Sequence, residues 1–179
     1  MSKLAIDGGE PLHTKPWRTG AFHVREELRV LSDVLSGPAL PMARGPRVMK
    51  LREDLQACYG MRYAVPVSSG SAAIHVALFV AGVGAGDEVI VSPLTDYGSI
   101  IGIFQLNAIP VFADVLPDSI LMDVADVKKK ITRRTKAIMP VHNGGYAVDM
   151  RALNRLAKAH DIKVVEDCAQ AHLAALGKK

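Results

Sequence analysis

Residues Glu88–Asp114 read EVIVSPLTDYGSIIGIFQLNAIPVFAD. Two short apolar runs, Glu88–Val91 and Ile109–Asp114, flank a stretch from Tyr97 to Leu106 that has helical length and apolar content. The runs are rich in Val and Ile, the residues that suit a pleated, buried surface. Ser92-Pro93 breaks the first run before the helical stretch begins. A strand, a helix and a second strand in about 27 residues predict a parallel pair joined by a right-handed crossover.

The same alternation continues outward. Ala137–Val141 (AIMPV) and Lys163–Glu166 (KVVE) read as further strands, and Tyr63–Val67 (YAVPV) as an earlier one. Helices are predicted at Val24–Leu35, Val48–Tyr59, from the Ser68–Ser71 turn to Val80, at Val124–Lys130 and at Met150–His160. Gly37-Pro38 stops the first of them, and Pro41–Pro46 reads as loop. The fold class is therefore α/β: a mostly parallel sheet flanked by helices. Residues 1–20, rich in Pro and Gly, read as an N-terminal arm, and 21–179 as the domain proper.

With 179 residues and 49% hydrophobic content, the chain can bury a sizeable core. No apolar run reaches the roughly 18 residues that span a bilayer, and the opening MSKLAIDGGEP lacks a signal-peptide core. The expected compartment is the cytoplasm, with no membrane partner. Cys58 and Cys168 stand far apart and outside metal-binding spacings, so both are expected to be reduced thiols. The net charge of +4 is scattered except for Lys128–Lys130 with Arg133, Arg134 and Lys136. No aromatic residues interleave with that cluster, so it reads as a solvated helix face and not as a nucleic-acid surface.

In parallel α/β sheets ligands gather at the carboxyl ends of strands. Four such ends carry polar chemistry. At Val67–Leu78 (VSSGSAAIHVAL) small polar residues open a helix, either as an ordinary serine N-cap or as an anion cradle of free N–H groups and hydroxyls. At Val164–His172 (VVEDCAQAH) a buried strand delivers Glu166 and Asp167, with Gln170 and His172 just beyond. A carboxylate there can cap the next element or hold a proton on a ring nitrogen. At Met139–Met150 (MPVHNGGYAVDM) His142 is a strand-end histidine and Asp149 an N-cap. At Val91–Ile100, Asp96 and Tyr97 follow the first strand, and Tyr97 either packs or stacks on a ring. Neither the phosphate-loop pattern ending in Gly-Lys-Ser/Thr nor the G-x-G-x-x-G fingerprint occurs.

Taken in order, LAIDGGEP, SSGSAAIHVAL, GAGDEVIVSPLT, IPVFADV, MPVHNGG with its following Asp-Met, and VVEDCAQAH resemble the DegT/DnrJ family of pyridoxal phosphate (PLP)-dependent sugar aminotransferases. The resemblance covers nearly the whole chain. It implies the fold type I large domain. It also implies homodimers that move an amino group from glutamate or glutamine to a keto sugar or keto-cyclitol. By the same resemblance Gly70 and Ser71 hold the cofactor phosphate, Asp167 pairs with the pyridinium nitrogen, Gln170 sits beside the phenolic oxygen, and His172 belongs to the same motif. Glu166 is expected to be only a neighbour of Asp167.

Two departures accompany the resemblance. Asp96 stands where many members carry the ring-stacking aromatic, which leaves Tyr97 beside it as the candidate. The lysine that carries the cofactor as a Schiff base is expected beyond the VVEDCAQAH motif, outside these 179 residues, and neither Lys178 nor Lys179 is assigned to it. The small C-terminal domain of the family is expected to be absent too. The chain alone is therefore expected not to transaminate. It reads either as the N-terminal part of an aminotransferase or as a non-catalytic PLP-fold binding partner.

Overall fold

The computed structural model describes residues 3–16, 23–37, 45–175 and 177. The chain divides into two compact units, Met1–Gly45 and Pro46–Lys179. In the first, a 3-10 turn at Ala5–Asp7 closes on Gly8 in the left-handed region, and helix α1 spans Val24–Leu35. The sequence reading of α1 has the observed bounds. Residues 17–20 of the arm, Pro38, loop residues 41–44, Lys178 and Lys179 lie outside the described residues.

The second unit holds helices α2 (Pro46–Tyr59), α3 (Gly70–Val80), α4 (Tyr97–Phe104), α5 (Val124–Lys130) and α6 (Met150–Ala159). Its strands are β1 (Glu88–Val91), β2 (Ile109–Phe112), β3 (Thr135–Met139) and β4 (Lys163–Val164). They form one sheet in the order β2-β1-β3-β4, with every pairing parallel. Helices α3 to α6 each start where a side chain supplies the missing partner for a free N–H. Ser69 caps α3, Asp96 caps α4, Asp123 caps α5 and Asp149 caps α6.

Period-two alternation sends successive strand residues to opposite faces. Val89, Val91, Ala137 and Met139 join Ile74, Leu78, Ile100 and Ile103 in a core on the α3/α4 side. Ile90 and Ile138 join Met122, Val127, Leu153 and Ala157 in a second core on the α5/α6 side. With Val89, Ile90 and Val91 fully buried, each contributes about 1.5–3 kcal/mol relative to exposure. The result is a three-layer α/β sandwich, as the sequence predicts.

One expected strand is missing. Tyr63–Val67 forms no ladder. Its apolar residues stay exposed, because an extended run becomes a strand only where a neighbour supplies its hydrogen bonds. The run lines a groove of about 770 Å³ with Val76, Val80, Val164 of β4 and Val165 just past it. The outer edge of β4 has no strand beside it among the described residues. That also explains why Val164 and Val165, expected to be buried, are only partly so. The strands predicted to reach Asp114, Val141 and Glu166 end earlier, at Phe112, Met139 and Val164.

Candidate functional site

The ends of β3 and β4 continue past their regular ladder. Asp167 N donates to Pro140 O and His142 N to Asp167 O, both at 3.0 Å, and Val141 bridges Asp167. The alternation set by Val164 and Val165 then separates the acidic pair. Asp167 falls on the α3/α4 side, and Glu166 on the other.

Asp167 is 8% exposed. Its Oδ2 accepts from Ser99 Oγ at 2.6 Å and its Oδ1 from Ala169 N at 3.1 Å. Ser99 is 3% exposed on α4, and its Oγ lies 2.7 Å from Thr95 Oγ1. A carboxylate offers about four lone-pair sites, so Asp167 retains acceptor capacity.

Gly70 and Ser71 form the first turn of α3, whose N-cap Ser69 accepts from Ala72 N at 3.1 Å. Both readings of this turn are thus compatible: Ser69 is spent on capping, while the Gly70 and Ser71 groups remain. A Cβ on Gly70 would meet nothing within 4 Å, so space lies open there. A Cβ on Gly98 would sit 3.0 Å from Ser71 Oγ. The N-terminus of α4 therefore lies against that of α3, and two positive helix ends converge. A Cβ on Gly102 would stand 2.8 Å from Ile74 Cγ2, so the close crossing of α3 and α4 depends on that glycine.

The strand-end loops are pinned to one another. Asn143 Nδ2 donates to Leu94 O at 2.8 Å, and Gly144 N donates to Gln170 Oε1 at 3.0 Å. With its oxygen engaged, Gln170 is left with its NH2 to offer a ligand. Tyr97, the first residue of α4, is 66% exposed. His172 is exposed, and its Nδ1 lies 3.3 Å from the Tyr59 hydroxyl at the end of α2.

Glu166 has a partner that the sequence reading missed. Its Oε2 lies 3.0 Å from Nε2 of buried His142, whose Nδ1 accepts from Val148 N at 3.2 Å. The Cys168 sulfur, and then the Glu166 carboxylate, push the His142 pKa up to about 9. The Val148 N–H favours an unprotonated Nδ1 and limits that rise. His142, Glu166 and Cys168 bring their ligand atoms within 4.8 Å of one another. Nε2 nonetheless carries a proton in both forms of the ring, so it offers no lone pair to a metal while the Val148 bond stands. Cys58 and Cys168 are free thiols.

Ser99, Thr95 and Asn143 also went unmarked in the sequence reading. The available signal was Ser99 itself, a polar residue in the otherwise apolar helix YGSIIGIF, four positions after Thr95.

The strand ends of this parallel α/β sheet thus set a buried carboxylate against the first turn of α4, whose N-terminus lies against that of α3. Residues 23–179 match the DegT/DnrJ/EryC1/StrS aminotransferase family, and the chain belongs to it. It is 39% identical over 176 residues to the L-glutamine:2-deoxy-scyllo-inosose aminotransferase of Streptomyces paromomycinus, covering 94% of this chain and 41% of that protein. The crystal structure of S. venezuelae DesV in complex with a ketimine intermediate superposes with a TM-score of 0.76 at 38% identity, over 83% of this chain and 41% of DesV. The Bacillus subtilis protein NtdA, solved with bound cofactor PMP, gives a TM-score of 0.80 at 28% identity, over 87% of this chain and 35% of NtdA. The chain spans about two fifths of the length of these relatives.

Proposed function

We propose that this chain forms the N-terminal part of the large domain of a PLP-dependent aminotransferase. The full protein would move an amino group from glutamine or glutamate to a keto-cyclitol or keto sugar. The observation that carries this reading is the Asp167 carboxylate, buried on the α3/α4 side and ready to accept from a ring nitrogen. The open first turn of α3 on the same side of the sheet fits a phosphate, held by the Gly70 and Ser71 N–H groups and the Ser71 hydroxyl. Tyr97, Gln170 and His172 complete the proposed cofactor set.

When bound, PLP supplies an electron-withdrawing ring that carries the amino group between substrates. The chain's own residues do the rest. Asp167 holds a proton at the ring nitrogen. Gln170, anchored through Gly144, turns its NH2 toward the phenolic oxygen. Residues 1–20 serve as an arm and 21–179 as the partial large domain. The Schiff-base lysine and a small C-terminal domain come from sequence beyond these residues. The complete enzyme works as a cytoplasmic homodimer.

The glutamine:inosose relatives favour a cyclitol acceptor. The test is an amino-transfer assay of the complete gene product with L-glutamine or L-glutamate against keto-cyclitols and nucleotide-linked keto sugars. Transfer to one of these acceptors is expected. Failure with every donor and acceptor pair would overturn the reading.

A further inference from the structure

Every hydrogen bond that reaches the Asp167 side chain among the described residues is a donation into it. Ser99 Oγ donates to Oδ2 at 2.6 Å and Ala169 N to Oδ1 at 3.1 Å. A serine hydroxyl has one proton. Ser99 spends it on Asp167, so the 2.7 Å contact with Thr95 requires Thr95 Oγ1 to donate to Ser99. The hydroxyls therefore form a directed relay, Thr95 to Ser99 to Asp167, along one face of α4 and the turn before it. Such relays polarise in series and strengthen the last bond. The inner end of the relay is buried, with Ser99 3% and Asp167 8% exposed, and Thr95 at its outer end is half-buried. A polar group inside an apolar helix has a cost unless it is satisfied. Here the carboxylate is what satisfies it.

Resting on the cofactor reading above, we propose that Ser99, backed by Thr95, is a positioning residue that fixes the Asp167 carboxylate as an acceptor and so keeps the bound ring nitrogen protonated. Ser99 occupies one oxygen from the α4 side, which fixes the plane of the carboxylate. The proton shared between Asp167 and the ring then stays on nitrogen. Without Ser99 the carboxylate turns more freely and its oxygen is no longer held against the ring nitrogen, so the ring N–H loses its acceptor.

The test uses the complete chain and pyridoxamine 5′-phosphate labelled with 15N in the ring, a probe that needs no Schiff-base lysine. The ring-nitrogen NMR shift reports its protonation directly. In the unaltered chain the bound probe is expected at the protonated position. Ser99→Ala should shift the ratio of protonated to unprotonated ring by roughly tenfold, the scale of one hydrogen bond to a charged group. Ser99→Thr should restore it, which a loss of packing alone would not do. Thr95→Val, which leaves Ser99 in place, should move the shift in the same direction by less, and it carries the test if Ser99→Ala does not fold. A bound probe with the unaltered shift in the variant that folds would overturn the role of Ser99 and leave the cofactor reading standing. Failure of the unaltered chain to bind the probe at millimolar concentration would overturn the cofactor reading for this chain, and the relay's role with it.

Discussion

Glu166 Oε2 lies 3.0 Å from His142 Nε2, joining the ends of β4 and β3 on the face opposite Asp167. The two adjacent acids thus do separate work: Asp167 faces the proposed ligand, and Glu166 locks the strand ends behind it. Cys168 and then Glu166 push the His142 pKa up from 6.5 to about 9, against the Val148 N–H that must be released when Nδ1 takes a proton, so on balance the folded chain binds that proton more tightly than the unfolded chain does. The resulting stabilisation is fully present below pH about 6.5 and disappears as pH rises toward about 9. The urea midpoint is expected to fall across that window, and Glu166→Gln should flatten the fall. A midpoint independent of pH from 6.5 to 9 would contradict it.

Gly102 sets the α3/α4 crossing. A methyl group there would press on Ile74 Cγ2 at 2.8 Å and His75 N at 3.0 Å. Gly102→Ala is expected to destabilise the fold by about 1–3 kcal/mol in chemical denaturation, the usual cost of overpacking. A neutral or stabilising effect would show that the helices separate freely.

Ser71 offers its hydroxyl at the start of α3, beside the N-terminus of α4. Ser71→Ala is expected to weaken pyridoxamine 5′-phosphate binding about tenfold, the loss of one hydrogen bond to a charged group. Binding of pyridoxamine, which lacks the phosphate, should not change. Equal losses for both compounds would remove Ser71 from phosphate binding.

The groove between Tyr63–Val67 and β4 exposes Tyr63, Val65, Val67, Val76 and Val80 beside an unpaired strand edge. Such edges and patches recruit other chains. The isolated 179-residue chain is expected to self-associate at micromolar concentration in analytical ultracentrifugation. Val65→Lys, at a 73% exposed position, should reduce that association. A strictly monomeric chain with a cooperative unfolding transition would contradict this expectation.

Much of this architecture is legible in the sequence because local signals agree with packing. Helix α5 has its predicted bounds, Val124–Lys130, since Asp123 caps one end and Thr132 lies just past the other. The strand-to-helix order and the two-faced core follow from apolar spacing in β1 and β3. Tyr63–Val67 misled because β-propensity describes a residue's fit to a sheet and cannot supply the neighbouring strand. At the site, the resemblance drew attention to Asp167 and Gln170. The contacts of Ser99 and Glu166 span 68 and 24 residues, separations that no local pattern encodes.

The central claim is that the ends of β3 and β4, with the first turn of α3, form the PLP site. A crystal structure of the chain grown with pyridoxamine 5′-phosphate tests it most directly. The account requires the phosphate against the Gly70 and Ser71 N–H groups and the ring nitrogen within hydrogen-bond distance of Asp167. A phosphate bound elsewhere, or a ring turned away from Asp167, would contradict it.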